Sequence, residues 1–275
     1  MTAGRGVLLP SLDLIRQTIT VETAYTLARL RILERLPGNP IGVAYRHVDD
    51  GVVAMMARHI PGFNAVTGLR SGLERHVAPL AEWYRSAGIQ TQFELVPGTY
   101  DKELGRELSR LGYFQAGFHT SLIREPEPLG GDADAADAAA AVERVTTAEQ
   151  FDAFLDAYTA GWQIPERAGF KANVQPWLGL PGWQLYLARV DGRPAAAGIL
   201  FLHDKVGYCA DAATDPAFRR RGLQTALLRR RIADAHAAGV EFVCSGADYL
   251  STSHRAMERV GMRVQFVRAL WRQLG

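Results

Sequence analysis

The sequence predicts a mixed α/β fold in two packed halves, and three observations lead there. The chain has 275 residues, long for one compact core and comfortable for two. The stretch from Glu125 to Asp137, running into an alanine tract, carries acid, proline and glycine with no branched or aromatic residue after Leu129, which is linker composition. On either side of it, strand-period and helix-period apolar segments alternate. The boundary falls within residues 126 to 140, giving a first domain over 1–127, an acidic and alanine-rich linker over 128–140 and a second domain over 141–275.

Within the second half, Ala141 to Val145 has the length of a short strand, and Ala148 to Trp162 places Phe151, Phe154, Leu155 and Tyr158 at helical spacing. A stretch broken by glycine and proline follows, from Gln163 to Gly182. Trp183 to Val190, Ala195 to Leu202 and Val206 to Ala213 then form an antiparallel meander, the first two joined by the Asp191-Gly192 turn signal. A helix from about Gly222 is stopped by Gly239; a strand Val240 to Cys244, a helix Ser251 to Val260 stopped by Gly261, and a strand Val264 to Trp271 complete the order. A strand–helix–strand crossover makes part of the sheet parallel.

The first half ends in the same way. A helix carrying Leu73, Val77, Leu80, Trp83 and Tyr84 stops at Ala87-Gly88, strand Thr91 to Val96 answers Glu241 to Cys244, and Leu108-Ser-Arg-Leu-Gly112 answers Met257-Glu-Arg-Val-Gly261. Both halves close on a strand ending in arginine, at Arg124 and Arg272, so an internal duplication is the simplest account.

Charge and composition restrict the function. With 31 basic and 29 acidic residues the net charge is +2, which supplies no global attraction to nucleic acid or to an acidic membrane. Apolar runs such as Ala195 to Leu202 are far below the roughly 20 residues that span a bilayer, and no secretory leader opens the sequence, so a cytoplasmic protein is expected. Cys209 and Cys244 sit in strand-like runs as small buried side chains, and no His/Cys/Glu cluster has ligand spacing, so neither a disulfide framework nor a metal site is expected.

The run that carries chemistry is Thr214-Asp-Pro-Ala-Phe-Arg219-Arg-Arg-Gly222-Leu-Gln-Thr225, between the last meander strand and a helix. There, free N–H groups at a helix start coincide with three arginines and a glycine that lets a ligand approach the backbone, a phosphate site in physical terms. Taken alone, three arginines also suit a solvated helix start. With its element order, this motif resembles the GNAT acetyltransferase superfamily, whose Arg/Gln-x-x-Gly-x-Gly/Ala loop wraps the pyrophosphate of acetyl-coenzyme A; here it reads Arg219-x-x-Gly222-x-Gln224, with Gln224 in place of the usual small residue.

The resemblance implies two tandem GNAT-like domains, each a mixed, largely antiparallel sheet flanked by helices, the sheet splayed between its fourth and fifth strands in the C-terminal domain. It implies that the amides of Arg221, Gly222, Leu223, Gln224 and Thr225 hold the pyrophosphate with help from Arg219 and Arg220, and that Ala213 and Thr214 pair with the pantetheine arm. Ser251 stands near the thioester where many members carry asparagine, or is a plain N-cap. Acetyl-coenzyme A is then the co-substrate, without a metal. In the first half Thr67-Gly-Leu-Arg-Ser-Gly72 occupies the place of the loop and lacks the arginine cluster, so no coenzyme A binding is expected there.

Acyl transfer to an amine needs a base and an acid. The tyrosine that members often use as acid is Met257 here. Asp211, which alternates with Cys209 and Ala213 on the fourth strand toward the gap, is the candidate base or else a structural carboxylate; Tyr249 is the substitute acid by location. Trp162, Phe170, Trp177 and Trp183 are core aromatics or walls of an acceptor pocket. His203, His236 and His254 are expected at the surface or in caps. The leading expectation is an N-acetyltransferase for a small-molecule or peptide amine, acting as a monomer or homodimer without nucleic-acid or membrane partners. The alternatives are a catalytically weak acyl-coenzyme A-binding regulatory protein and, from Arg219–Arg221 with Arg229–Arg231, a nucleic-acid binder.

Overall fold

The structure is a computed structural model and describes residues 8–49, 51–129 and 141–273. The linker expected over 128–140 lies outside these residues except for Pro128 and Leu129. The chain divides into two compact units, one built from Leu122–Arg263 and the other from Pro10–Ser121 together with the strand from Val264 onward.

In the first of these units, strand β6 (Ala141–Arg144) leads into helix α4 (Ala148–Trp162), started by a capping box between Thr147 and Gln150 and ended by Gln163 in the left-handed conformation. Helix α5 (Arg167–Val174) lies in the stretch that sequence periodicity assigns no helix; its buried helical residue is Val174 alone, so it has no apolar stripe to detect. Strands β7 (Trp183–Val190), β8 (Arg193–His203) and β9 (Val206–Thr214) form the expected meander. Positive φ at both Asp191 and Gly192 gives the β7–β8 turn the backbone twist that a two-residue hairpin requires. Helix α6 (Leu223–Ala237) crosses to β10 (Phe242–Ala247), which lies parallel to β9, and helix α7 (Thr252–Arg259) follows. The sheet order is β6-β7-β8-β9-β10, antiparallel up to β9. The core on the α6 and α7 side is closed by Leu223, Leu227, Ile232, Met257 and Val260 against Tyr186, Leu200, Cys209 and Val243. Both cysteines are buried and neither forms a disulfide.

The other unit begins with helix α1 (Leu12–Glu34), N-capped by Ser11, which has no counterpart in the sequence reading. Its buried positions include Thr18 and Glu22, and polar groups on the inner face blur the apolar stripe. Strands β1 (Val43–Asp49), β2 (Val52–Ala57) and β3 (Ala65–Thr67) are antiparallel neighbours; helix α2 (Val77–Ser86) then crosses to β4 (Gln92–Leu95), which is parallel to β3. Helix α3 (Lys102–Arg110) and β5 (Tyr113–Arg124) follow, so the helix–parallel strand–helix–strand ending expected from the duplication is present in this unit as well. Tyr84 pins α2 to the sheet by donating to the Met55 and Ala65 carbonyls at 2.6 and 3.1 Å.

The final strand, β11 (Arg263–Gln273), departs from its sequence placement. It lies between β4 and β5 in the unit of the first half and pairs antiparallel with β4 from Ala269↔Leu95 to Arg272↔Gln92. Buried Arg268 explains why it is held there: its guanidinium reaches Glu22 on α1, Glu94 on β4 at 2.7 Å and Ser121 on β5 at 3.1 Å. Burial alone would lower the pKa of this arginine, but the two carboxylates outweigh it and leave the group firmly charged. Thr18 donates to Gln265 of the same strand at 2.9 Å.

Candidate functional site

The phosphate motif lies where the sequence reading puts it, between β9 and α6. After Thr214, Asp215 accepts from the Ala217 amide at 2.9 Å and Pro216–Phe218 form one turn of 3-10 helix, so the chain turns at the strand end. Phe218 is buried, and Arg193 and Arg221 lie over its ring at 5.2 and 5.7 Å. Arg219, Arg220 and Arg221 are exposed, and Arg219 donates to the Thr214 carbonyl at 3.4 Å.

Gly222 is the N-cap of α6, with φ of 78°, and a Cβ at this position would meet nothing within 4 Å. A glycine cap has no side chain to accept from the first turn of its helix. The amides of Leu223, Gln224 and Thr225 therefore remain donors for something outside the helix, at the positive end of its dipole. Gln224, bulkier than the resemblance leads one to expect, turns back and donates to the Thr214 hydroxyl at 2.7 Å, tying the strand end to the helix start. An open cap, an absent Cβ and clustered guanidiniums are a donor set that fits a diphosphate.

Beside this loop the sheet forks. Strands β9 and β10 share the register pairs Phe242↔Val206, Val243↔Gly207 and Cys244↔Tyr208, after which β9 continues to Thr214 and β10 to Ala247. On its other edge β9 carries a bulge: Ala197 pairs with Ala213 and Ile199 with Ala210, so Asp211 and Ala212 together face Gly198. Asp211 has φ of 31°, and its carboxylate accepts from the Tyr158 hydroxyl of α4 at 3.3 Å. The expected alternation of Asp211 with Cys209 does not hold. Cys209 belongs to the core under α6, a cluster with no α4 residue, and the bulge turns Asp211 to the α4 side. Burial pushes the Cys209 thiol pKa up, with the nearby Arg231 charge pulling the other way.

Ser251 caps α7, accepting from the His254 amide at 3.1 Å. Tyr249 is 60% exposed, and its ring meets that of His254 edge to face at 5.1 Å. His254 corrects the expectation of a surface histidine: it is 1% exposed, with Nδ1 3.5 Å from Glu258. Met257 is buried in the core. Of the four aromatics, Trp177 and Trp183 are core, Phe170 stacks on Tyr158 at 5.6 Å, and Trp162 is 52% exposed. Arg231 is buried at 1% exposure, so it cannot join Arg229 and Arg230 in a basic surface. The sequence reading placed Arg231 in a basic run and did not single out Ser245, although both bond to the forked strand.

The corresponding place in the other unit is closed. After β3 the Ser71 amide donates to the Thr99 carbonyl at 3.1 Å, the Gly72 amide to the Glu74 carboxylate at 2.8 Å, and Arg75 pairs with Asp49 at 3.1 Å. Donors that an anion would need are taken by the protein's own acceptors.

Residues 132–250 match the family model described as Acetyltransferase (GNAT) domain. Over these residues the chain is similar to a GNAT acetyltransferase domain. Among solved structures, a GCN5-related N-acetyltransferase from Kribbella flavida is 14% identical, with 94% of this chain and 95% of that chain covered at a TM-score of 0.67. A tandem GNAT protein from the clavulanic acid biosynthesis pathway is 14% identical, with 97% and 96% covered at a TM-score of 0.61. A GCN5-related N-acetyltransferase from Sphaerobacter thermophilus is 15% identical, with 81% and 80% covered at a TM-score of 0.58. At these identities the likeness is one of fold, and it spans nearly the whole of this chain. No curated protein matches the sequence. Among the described residues, no helix is long and apolar enough to cross a membrane.

Proposed function

We propose that the GNAT domain transfers an acetyl group from acetyl-coenzyme A to the amine of a small molecule or peptide. The observation that carries this is the open, glycine-capped start of α6 standing beside the fork between β9 and β10. The amides of Arg221 through Thr225 would hold the diphosphate with Arg219 and Arg220 supplying charge, and the backbone of Ala213 and Thr214 would take the pantetheine arm. Acetyl-coenzyme A supplies a thioester, an acyl group already activated toward an amine. Asp211, which accepts from Tyr158, would take the proton of the incoming ammonium, since the amine attacks only when neutral. Exposed Tyr249, near the start of α7, would be the acid.

The second reading, an acyl-coenzyme A-binding regulatory protein with little turnover, is favoured by buried Met257 at the family's tyrosine position. One experiment separates the two. Acetyl-coenzyme A is titrated into the protein by calorimetry, and free thiol is then followed with a panel of amines. Heat together with amine-dependent thiol release is the expected result; heat without thiol supports the regulatory reading, and no heat removes both. Asp211→Asn is expected to lower kcat by about 100-fold while leaving the coenzyme A affinity within about threefold. Small, equal changes in both would remove Asp211 from the mechanism.

A further inference from the structure

Where β9 leaves β10, its peptide groups lose a ladder partner, and each carbonyl there must find a donor or face the gap. A carbonyl facing the gap would repel a thioester oxygen as it gains negative charge, whereas an N–H would stabilise it. The Cys209 carbonyl at the start of the fork and the Ala210 carbonyl on the β8 edge beside it are both occupied from within. The Ser245 hydroxyl, buried on β10, donates to the Cys209 carbonyl at 2.7 Å, one residue beyond the last β9–β10 pair. Arg231, buried on α6, donates to the Ala210 carbonyl at 3.1 Å, to the Ile199 carbonyl of β8 at 3.0 Å and to the Leu227 carbonyl of its own helix at 3.1 Å.

These contacts converge on the bulge. Ile199 and Ala210 are the pair immediately next to it, and Gly198 is the residue that Asp211 and Ala212 face together. A Cβ at Gly198 would lie 3.2 Å from Cζ and Nη1 of Arg231, so glycine leaves the room that the guanidinium occupies. The bonded acceptors of this guanidinium are all backbone carbonyls, leaving a full positive charge under the bulge that carries Asp211.

We propose that Arg231 and Ser245 are positioning residues that occupy the β9 carbonyls at the bulge and at the fork, so that this strand turns N–H donors and a net positive field toward the reacting acyl group. The proposal rests on the fork being the acyl-transfer site, and its test has a readout that does not need turnover. Hydrogen exchange followed by mass spectrometry is measured over residues 206–214 in wild type, Ser245→Ala, Ser245→Thr and Arg231→Met. Thiol release and coenzyme A affinity are measured on the same proteins. In Ser245→Ala and Arg231→Met, exchange over this strand is expected to quicken about tenfold with β7 unchanged.

For the same variants kcat should fall at least about tenfold and coenzyme A affinity stay within about threefold, with Ser245→Thr recovering most of the loss. Wild-type exchange in Ser245→Ala overturns the proposal, as does faster exchange with unchanged kcat. If Arg231→Met does not fold, the two serine variants decide the matter. Should the wild type neither bind coenzyme A nor release thiol, the transferase reading falls separately, and the exchange comparison still shows whether these side chains hold the strand.

Discussion

Gly222 shows how much one residue contributes at the candidate site. Its φ of 78° puts any other L-residue in the left-handed region, at a cost of roughly 1–2 kcal/mol, and its missing Cβ leaves open the space in front of the α6 amides. Gly222→Ala is therefore expected to lower the melting temperature by a few degrees and to weaken coenzyme A binding by about tenfold or more, since strain and obstruction act together. Calorimetric titration beside a thermal melt checks this; unchanged affinity would mean that the cap does not face the ligand. The motif was legible residue by residue because phosphate loops need particular residue types at particular spacings. Asp211 was legible as a candidate, but its direction was not. A bulge depends on the neighbouring strand, and no local pattern reports it.

Among the elements, helix α4 was readable from its apolar face and α5 was missed for want of one, while strands β1 to β3 were not assigned although β2 is buried throughout. Helix α4 places Phe151, Phe154, Leu155 and Tyr158 inward and carries a complete capping box, whereas α5 buries one helical side chain. The box makes α4 a test of stability apart from chemistry. Thr147→Ala removes the acceptor for the Gln150 amide, far along the helix from Tyr158, and is expected to cost about 1 kcal/mol with acyl transfer unaffected. Denaturant unfolding followed by circular dichroism measures it, and a drop in kcat at unchanged Tyr158–Asp211 geometry would contradict this division of roles. Helix α1 hid for the opposite reason: its inner face includes Glu22, whose partner Arg268 lies 246 residues away.

The whole molecule joins these elements in two units that share one chemical liability, buried tyrosines. Burial raises the hydroxyl pKa of Tyr113 to about 12, and raises those of Tyr84 and Tyr186 further, with the Asp234 carboxylate adding to the effect at Tyr186. These groups fold as the neutral phenol. Their contribution to stability is fully present below the ordinary tyrosine pKa near 10 and is lost as pH rises through the folded values. Stability is thus expected to fall from about pH 10 upward by up to roughly 1.4 kcal/mol per pH unit for each such group. Tyr113→Phe should lessen that slope between pH 10 and 12. Urea unfolding over this range, with tyrosinate absorbance read alongside, checks it; a slope unchanged in the variant would mean that Tyr113 ionises as readily folded as unfolded.

By itself the sequence determined the mixed α/β class, the repeated helix–strand–helix–strand ending, and the arginine and glycine loop with the chemistry it suits. These depend on neighbours within a turn or a strand, and local periodicity and backbone freedom carry that information. Only the tertiary structure decided that the last strand lies between β4 and β5, that the bulge turns Asp211 toward Tyr158, and that Arg231 and Ser245 hold the carbonyls of β9. The physical reason is the same each time. A buried polar group must be satisfied by whatever the fold brings beside it, and the partner's distance along the chain leaves no periodic trace.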